Sequence, residues 1–156
     1  MFDPANINNV NLQHIIAKTH TYFASRSQII FVYLFGSVAA DKATTLSDID
    51  LAVYLNPSFQ DPPAGFGYQS ELITDLSALL GTQTDVVILN KASLPLRFQV
   101  ISKGILIYNT SDHDRRDFHE KTVRDYLDFK PFLKVQAQYL KKRLREGTFG
   151  GGQAGR

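Results

Sequence analysis

The sequence predicts an α/β (α+β) domain in which helices cover one small mixed β-sheet. Two observations support this fold class. Short runs of β-branched and aromatic residues alternate along the chain with segments of helical periodicity. The chain has 156 residues, of which 44% are hydrophobic and 21% charged, and these values are typical of a single globular domain with a core of moderate size.

The first part of the chain is predicted to form a helix, a strand, a short helix and a second strand. Residues 11–26 carry apolar side chains at helical spacing. Residues 29–35 are a continuous β-branched and aromatic run, which is typical of a buried strand. A short helical segment, 37–43, follows Gly36. Side chains alternate in character along residues 48–55, which predicts a strand with two different faces.

The middle of the chain is predicted to contain a loop, a helix and a third strand. Residues 56–67 hold three of the six prolines, so they form a loop. The loop follows the second strand directly, and we expect it to shape the entrance for an acceptor. An amphipathic helix over residues 68–80 ends at Gly81. Residues 84–90 form the next strand, with Asp85 at its start.

The last part of the chain is predicted to be mainly helical. Ser93 has the position of an N-cap, and its helix ends at Gly104 before a short strand at 105–108. Residues 114–146 have a helical pattern, with a break expected before Pro131. We therefore expect a core at 1–110, C-terminal helices at 111–146 and a flexible glycine-rich tail at 147–156. The aromatic residues of the C-terminal helices either pack within the domain or contact a partner, and we expect these helices to contact a partner.

Three carboxylates are the candidate catalytic and metal-binding residues. Asp48 and Asp50 are two residues apart on a predicted strand, so their side chains leave the same face of the sheet. Asp85 joins them if its strand is a neighbour. Carboxylates held this close repel each other unless a cation lies between them, and oxygen ligands suit Mg²⁺. Three carboxylates predict a site for two Mg²⁺ ions, which is suited to in-line displacement at phosphorus.

A glycine and two serines are the candidate nucleotide-binding residues. Gly36 and Ser37 end the first strand and begin the short helix. Glycine allows the backbone to approach a ligand closely, and a helix N-terminus offers N–H groups to phosphate. Ser37 adds a hydroxyl group, and Ser47 lies next to the carboxylate pair. We therefore expect a phosphate cradle beside the metal site.

These residues carry a family resemblance. The stretch FGSVAADKATTLSDIDLAVYL, with Gly36-Ser37, ten residues and then Asp48-x-Asp50, resembles the signature of the DNA polymerase beta-like nucleotidyltransferase superfamily. The resemblance covers about residues 10–110. It implies a mixed sheet that binds a nucleoside triphosphate with Mg²⁺, and it implies Asp85 as the third metal ligand. The chain departs from many relatives, which have Arg-Gly where this chain has Ala40-Asp41.

The C-terminal region is similar to a narrower group. The stretch GILIYNTSDHDRRDFHEKTVRDYLDFKPFLK, from Gly104 to Lys134, resembles minimal nucleotidyltransferases that are paired with HEPN-domain ribonucleases in toxin–antitoxin modules. This resemblance implies an antitoxin enzyme that transfers AMP from ATP to a tyrosine of its HEPN toxin. Two alternatives stay open. One is a binding-only antitoxin that occludes its toxin, and the other is nucleotide transfer to a small molecule.

Composition excludes several other classes of function. The chain has no Cys, so it forms neither a disulfide framework nor a thiolate metal site, and this fits the reducing cytoplasm that we expect as its location. We identify no signal peptide and no apolar run long enough to span a bilayer, so no membrane partner is expected. Acidic residues are interleaved with the basic residues of the C-terminal region, which argues against direct nucleic-acid binding.

Overall fold

A computed structural model describes residues 4–39, 48–61 and 67–147 of the chain. In these ranges the fold is a four-stranded mixed β-sheet with helices on both faces, which confirms the predicted fold class. The strands are β1 (Ile29–Phe35), β2 (Ile49–Leu55), β3 (Thr84–Ile88) and β4 (Ile105–Asn109). The helices are α1 (Pro4–Ala24), α2 (Gly36–Ala39), α3 (Tyr68–Leu80), α4 (Leu94–Lys103) and α5 (Asp112–Arg145).

The strand order in the sheet is β3-β2-β1-β4. Strand β1 pairs antiparallel with both β2 and β4, whereas β2 pairs parallel with β3. The two central strands are the most apolar of the four, and nearly all of their side chains are buried. The topology places the beginnings of β2 and β3 beside the end of β1.

The alternation along β2 separates two layers of core. Leu51 and Val53 face the layer that α1 and α3 cover. Ala52 lies in the other layer, where α4 and the first part of α5 pack, and Tyr54 packs against that layer. Asp50 is two residues before Ala52, so its side chain leaves the same face as Ala52 and Tyr54.

The local signals at the helix ends are confirmed. Gly81 has the left-handed backbone conformation that ends α3, with φ of 68°. The Ser93 hydroxyl accepts a hydrogen bond from the Leu96 N–H at 3.4 Å and caps the start of α4. Residues 40–47 lie outside the described ranges, and they include most of the helical segment predicted at 37–43. Residues 148–156 of the predicted tail also lie outside these ranges.

Two helices differ from the prediction. Helix α1 begins at Pro4, well before residue 11, and proline is favourable in the first turn of a helix. The break predicted before Pro131 is wrong, because α5 is continuous from Asp112 to Arg145 with Pro131 inside it. A proline removes one backbone hydrogen bond from a helix. Pro131 and Leu127, whose carbonyl loses that bond, are both exposed, so the lost bond is at a solvent-accessible part of the helix.

The first part of α5 packs on the domain. Phe118 contacts the rings of Phe31 and Tyr54, with centroid distances of 5.6 and 4.9 Å. Tyr126 stacks on Phe98 of α4 at 3.8 Å. Beyond this point the side chains of α5 are mostly exposed, and we refer to residues 127–145 as the arm. Within the described ranges, no helix has the length and apolar character needed to cross a membrane.

Candidate active site

The sheet brings the main predicted site residues to one place. Asp50 on β2 is paired with Phe35 on β1 and with Asp85 on β3. Gly36 directly follows Phe35, so the turn into α2 lies next to Asp50. Asp48 precedes β2 by one residue. The predicted neighbourhood of β2 and β3 is therefore observed, and Asp85 is the second residue of its strand.

The backbone of Gly36 is pressed against the side chain of Asp50. Gly36 has a φ of +76°, which side chains with a Cβ rarely adopt. A Cβ placed at this position would overlap with Oδ2 of Asp50 and lie 3.0 Å from its Cγ. Both the backbone angle and the space therefore require glycine. The turn that begins α2 is therefore in direct contact with the carboxylate of Asp50.

The three carboxylates influence each other electrostatically. The pKa of the Asp50 carboxyl is raised, first by burial and then by the negative charges of Asp85 and Asp48. Asp50 is half-buried, whereas Asp48 and Asp85 are exposed. A cation between these oxygens would remove both causes of instability, because it replaces the lost hydration and neutralises the repulsion. Raised pKa values of this kind are frequent at functional sites.

The donor set fits Mg²⁺ in its chemistry. All three side chains offer hard oxygen ligands, and Mg²⁺ is bound in proteins by one or two carboxylates together with water and substrate phosphates. Asp85 is oriented by its own strand, since its Oδ1 accepts a hydrogen bond from the Val86 N–H at 2.9 Å. Among the described residues, no three His or acidic side chains form a ready-made metal cluster. The remaining ligands would therefore come from the nucleotide and water.

The serines are less well placed by the structure. Ser37 is the second residue of α2, but its side chain is outside the described part of the chain. Ser47 is also outside it. Their roles in nucleotide binding stay predictions.

Tyr54 does not lie beside the carboxylates. It stacks on Phe31 with a centroid distance of 4.7 Å and an interplanar angle of 11°. It is four residues from Asp50 along β2, which corresponds to about 13 Å. Of the two roles that its sequence position allows, lining a nucleotide pocket or covering the sheet, the structure supports the second.

The loop after β2 leaves from the end of the strand that is remote from Asp50. Asp61 accepts a hydrogen bond from the Tyr68 N–H at 3.0 Å and forms an ion pair with Lys91 at 3.5 Å. Lys91 follows the end of β3. The described residues of this loop, 56–61 and Gly67, therefore give no support to the expectation that it shapes the acceptor entrance; residues 62–66 are outside the described ranges.

A cavity of about 450 Å³ lies at this remote end of the same sheet face. Its walls include Tyr54, Arg97, Asp114, Asp117 and Phe118. Burial is the main cause of a raised pKa at the Tyr54 hydroxyl, and the nearby Asp114 contributes. None of the three candidate catalytic carboxylates lines this cavity. The candidate catalytic carboxylates and this cavity are thus at opposite ends of β2.

The contact between Gly36 and Asp50 is the feature that sequence reasoning did not identify. It depends on the register of β1 against β2, which places Phe35 opposite Asp50. A long segment separates the two strands in the sequence, and no local pattern specifies how they align. The only signal was the glycine itself, at the end of a strand.

A comparison with protein families agrees with this geometry. Residues 17–113 match the family described as polymerase beta, nucleotidyltransferase. The chain belongs to this nucleotidyltransferase family. The matched range contains all four strands, Gly36 and the three carboxylates. No curated protein gives a significant match to the chain.

Solved structures show the same nucleotidyltransferase fold in toxin–antitoxin complexes. A chain of a toxin–antitoxin crystal structure with AMP-PNP has a TM-score of 0.69 and 26% identity, over 81% of this chain and 98% of that chain. A chain of the MntA–HepT toxin–antitoxin has a TM-score of 0.62 and 24% identity, over 85% and 98% of the two chains. A structure of the tri-AMPylated Shewanella oneidensis HEPN toxin with its MNT antitoxin has a TM-score of 0.62 and 24% identity, over 86% and 98%.

Proposed function

We propose that this nucleotidyltransferase is the antitoxin of a toxin–antitoxin pair and that it transfers AMP from ATP to a tyrosine of a cognate HEPN ribonuclease toxin. The observation that carries the proposal is the convergence of Gly36, Asp50 and Asp85 at one end of the sheet. A nucleotide ligand and a toxin partner are supported by the similar structure with AMP-PNP, which is a toxin–antitoxin structure at 26% identity. The proposed location is the cytoplasm.

In the proposed reaction, the tyrosine oxygen bonds to the α-phosphorus of ATP, and pyrophosphate leaves. Asp48, Asp50 and Asp85 would hold two Mg²⁺ ions, which when bound stabilise the charge on the phosphates and lower the pKa of the attacking hydroxyl. A carboxylate beside the tyrosine oxygen accepts its proton. The backbone at Gly36 leaves room for the triphosphate, and Ser37 and Ser47 donate hydrogen bonds to its oxygens.

The sequence after Gly36-Ser37 departs from the family pattern, and we expect activity to be kept because all three candidate metal ligands are present. Many relatives have Arg-Gly where this chain has Ala40-Asp41, so a cation is replaced by an added negative charge near the phosphates. Lys42 supplies a positive charge one position later. This substitution is also the observation that favours the second candidate function, a binding-only antitoxin that occludes its toxin without modifying it.

Intact-mass analysis of the partner tests the proposal. The HEPN-domain protein encoded beside this chain is mixed with it, ATP and Mg²⁺, and compared with the isosteric variant Asp48→Asn/Asp50→Asn. Mass increments of one or more AMP units are expected only with the wild-type chain. Glu71→Gln is the matched control, because it removes an exposed carboxylate on α3, which packs on the other face of the sheet, and should leave the increments unchanged.

The outcomes separate the two candidates. If neither chain modifies the partner and both neutralise its ribonuclease activity equally, the antitoxin acts by occlusion. If the partner is unmodified and a small-molecule acceptor gains a nucleotide instead, both protein-directed functions are wrong.

A further inference from the structure

The arm of α5 exposes apolar side chains where the rest of the domain buries them. The described part of the chain leaves seven large apolar side chains exposed, and six of them are on the arm. Their exposed fractions lie between 47% and 62%. The six residues are Leu127, Phe132, Val135, Tyr139, Leu140 and Leu144. A concentration of exposed apolar side chains of this kind is characteristic of a binding site for another macromolecule.

Five of the six exposed residues lie in two rows beyond Pro131, and Leu127 lies outside both rows. At 100° per residue, Phe132, Val135 and Tyr139 lie along one side of the helix, with spacings of three and four. The second row is about 140° away around the helix axis. It consists of Leu133, Ala137, Leu140 and Leu144. Each row has the spacing that packs along one neighbouring helix.

Polar side chains separate these rows. Gln136 and Arg143, seven residues apart, lie midway between them, and the Arg143 guanidinium lies over the Tyr139 ring at 5.8 Å. A bilayer would cover both rows at once and would place these two polar groups in hydrocarbon, which is unfavourable. A groove between two helices accepts one row on each wall and leaves the polar residues above the gap. The arm therefore fits a helical protein better than a membrane.

Charge identifies the kind of partner. Residues 127–145 contain six Lys and Arg against one Asp, a net charge of +5. A second copy of the chain would bring two such arms together, and their like charges would oppose pairing. An acidic rim around the groove would complement the arm. The five half-exposed large side chains of the two rows supply much of the roughly 800 Å² that each partner contributes to a standard interface.

We propose that the arm docks in an acid-rimmed apolar groove between two helices of the toxin, and this proposal rests on the function proposed above. The arm is the C-terminal part of α5, which does not pack on the sheet. The proposed toxin-binding surface and the candidate catalytic carboxylates are therefore on different parts of the molecule. A change in the arm should weaken toxin binding and raise KM for the toxin. The rate of AMP transfer within the complex should remain nearly constant.

The test compares two double variants of the arm that keep its net charge. Phe132→Ser/Tyr139→Ser removes two aromatic residues from the first row. Lys134→Arg/Gln138→Ser changes the opposite, polar face of the same turns and keeps the positive charge at position 134. Titration calorimetry with the HEPN partner should show that the first variant binds about 100-fold more weakly, whereas the second changes Kd by less than about three-fold. Circular dichroism should show equal helix content in both.

A conservative variant distinguishes the loss of apolar contacts from a loss of helix structure. Phe132→Leu/Tyr139→Leu keeps the row apolar, and it should bind within about ten-fold of the wild-type chain. If all three variants bind the partner as the wild type does, the docking proposal is wrong, whatever happens to AMP transfer. If no chain modifies the partner but only Phe132→Ser/Tyr139→Ser loses binding, docking stands and the transferase proposal fails.

Two further measurements would overturn the choice of partner. Light scattering of the chain alone would reveal self-association that depends on Phe132 and Tyr139. Sedimentation with vesicles of phosphatidylcholine and phosphatidylserine would reveal membrane binding that depends on the same residues. Either result, together with unchanged toxin binding, would assign the arm to a second copy or to a lipid surface.

Discussion

The domain body, by which we mean the described chain up to Tyr126, and the arm differ in the groups that lack a favourable partner. The body buries its apolar residues in two layers, and its unfavourable feature is the group of carboxylates around Asp50. The arm carries its charges in water, and its unfavourable feature is exposed apolar surface. Repelling carboxylates indicate a cation, whereas exposed apolar rows indicate a protein surface. Under the two proposals above, the carboxylates of the body are completed by a cation and the apolar rows of the arm by a protein partner.

The largest expected effect is on the body alone. Asp50→Asn removes the central negative charge without changing the size of the side chain. We expect AMP transfer at saturating partner to fall by about 10³-fold or more, because electrostatic stabilisation is the main catalytic contribution of such a site. Single-turnover rates measure this loss, and calorimetry should give an unchanged Kd for the partner. A large loss of partner binding would mean that the carboxylates and the arm are not separate.

The next effect tests the contact between the turn and Asp50. Gly36→Ala introduces a Cβ that overlaps with the Asp50 carboxylate and strains a backbone with φ of +76°. We expect a loss of turnover of about 10²-fold and destabilisation by about 1–3 kcal/mol. Transfer assays and urea unfolding measure the two quantities.

Gly81→Ala is the matched control for this prediction. Gly81 has a similar φ of +68°, but a Cβ there would meet no atom within 4 Å. The Gly81→Ala variant should be destabilised by about 1 kcal/mol, because its backbone is strained in a similar way, and its turnover should be unchanged. Equal turnover losses in both variants would show that overlap with Asp50 is unimportant.

A smaller effect compares the two parts of α5 directly. Phe118→Ala removes a ring that packs on Phe31 and Tyr54, and it should lower the free energy of unfolding by about 2–3 kcal/mol. Phe132→Ala removes a half-exposed ring from the arm and should change that energy by less than about 0.5 kcal/mol. Urea unfolding measures both values. Similar losses would indicate that the arm packs on its own domain.

The smallest effect concerns the stability of the body in the presence of a chelator. The pKa of Asp50 is raised in the folded state, so folding favours the protonated carboxyl. The stabilising contribution of the protonated Asp50 carboxyl is present at low pH and is lost as the pH rises through the folded-state pKa of Asp50. Asp50→Asn should therefore increase the free energy of unfolding at neutral pH by roughly 0.5 kcal/mol or less. The difference should disappear below about pH 4, as urea unfolding at several pH values would show.

Local signals in the sequence predicted most of the fold. Strand β1 was predicted at its observed bounds because a continuous β-branched run has no helical alternative. Ser93 and Gly81 were predicted as helix ends because capping depends on neighbouring residues alone. Pro131 misled the prediction, since an exposed helix tolerates one lost hydrogen bond.

The candidate site was predictable in its parts but not in its assembly. The spacing of Asp48 and Asp50 placed them on one face, which follows from strand geometry. The pairing of Asp50 with Asp85 and the contact with Gly36 depend on strand register. Register is determined by the packing of the whole sheet, so no short stretch of sequence specifies it.

Pro131 is the point at which the arm bends most easily, because one backbone hydrogen bond is missing there. The helix continues past Pro131 for about 20 Å to Leu144, at 1.5 Å per residue. A bend of about 10° there would move the tip by about 3–4 Å, which is close to one residue of extended chain. If the arm binds the toxin as proposed, bending at Pro131 would therefore change the position of the bound toxin relative to the carboxylates on the sheet.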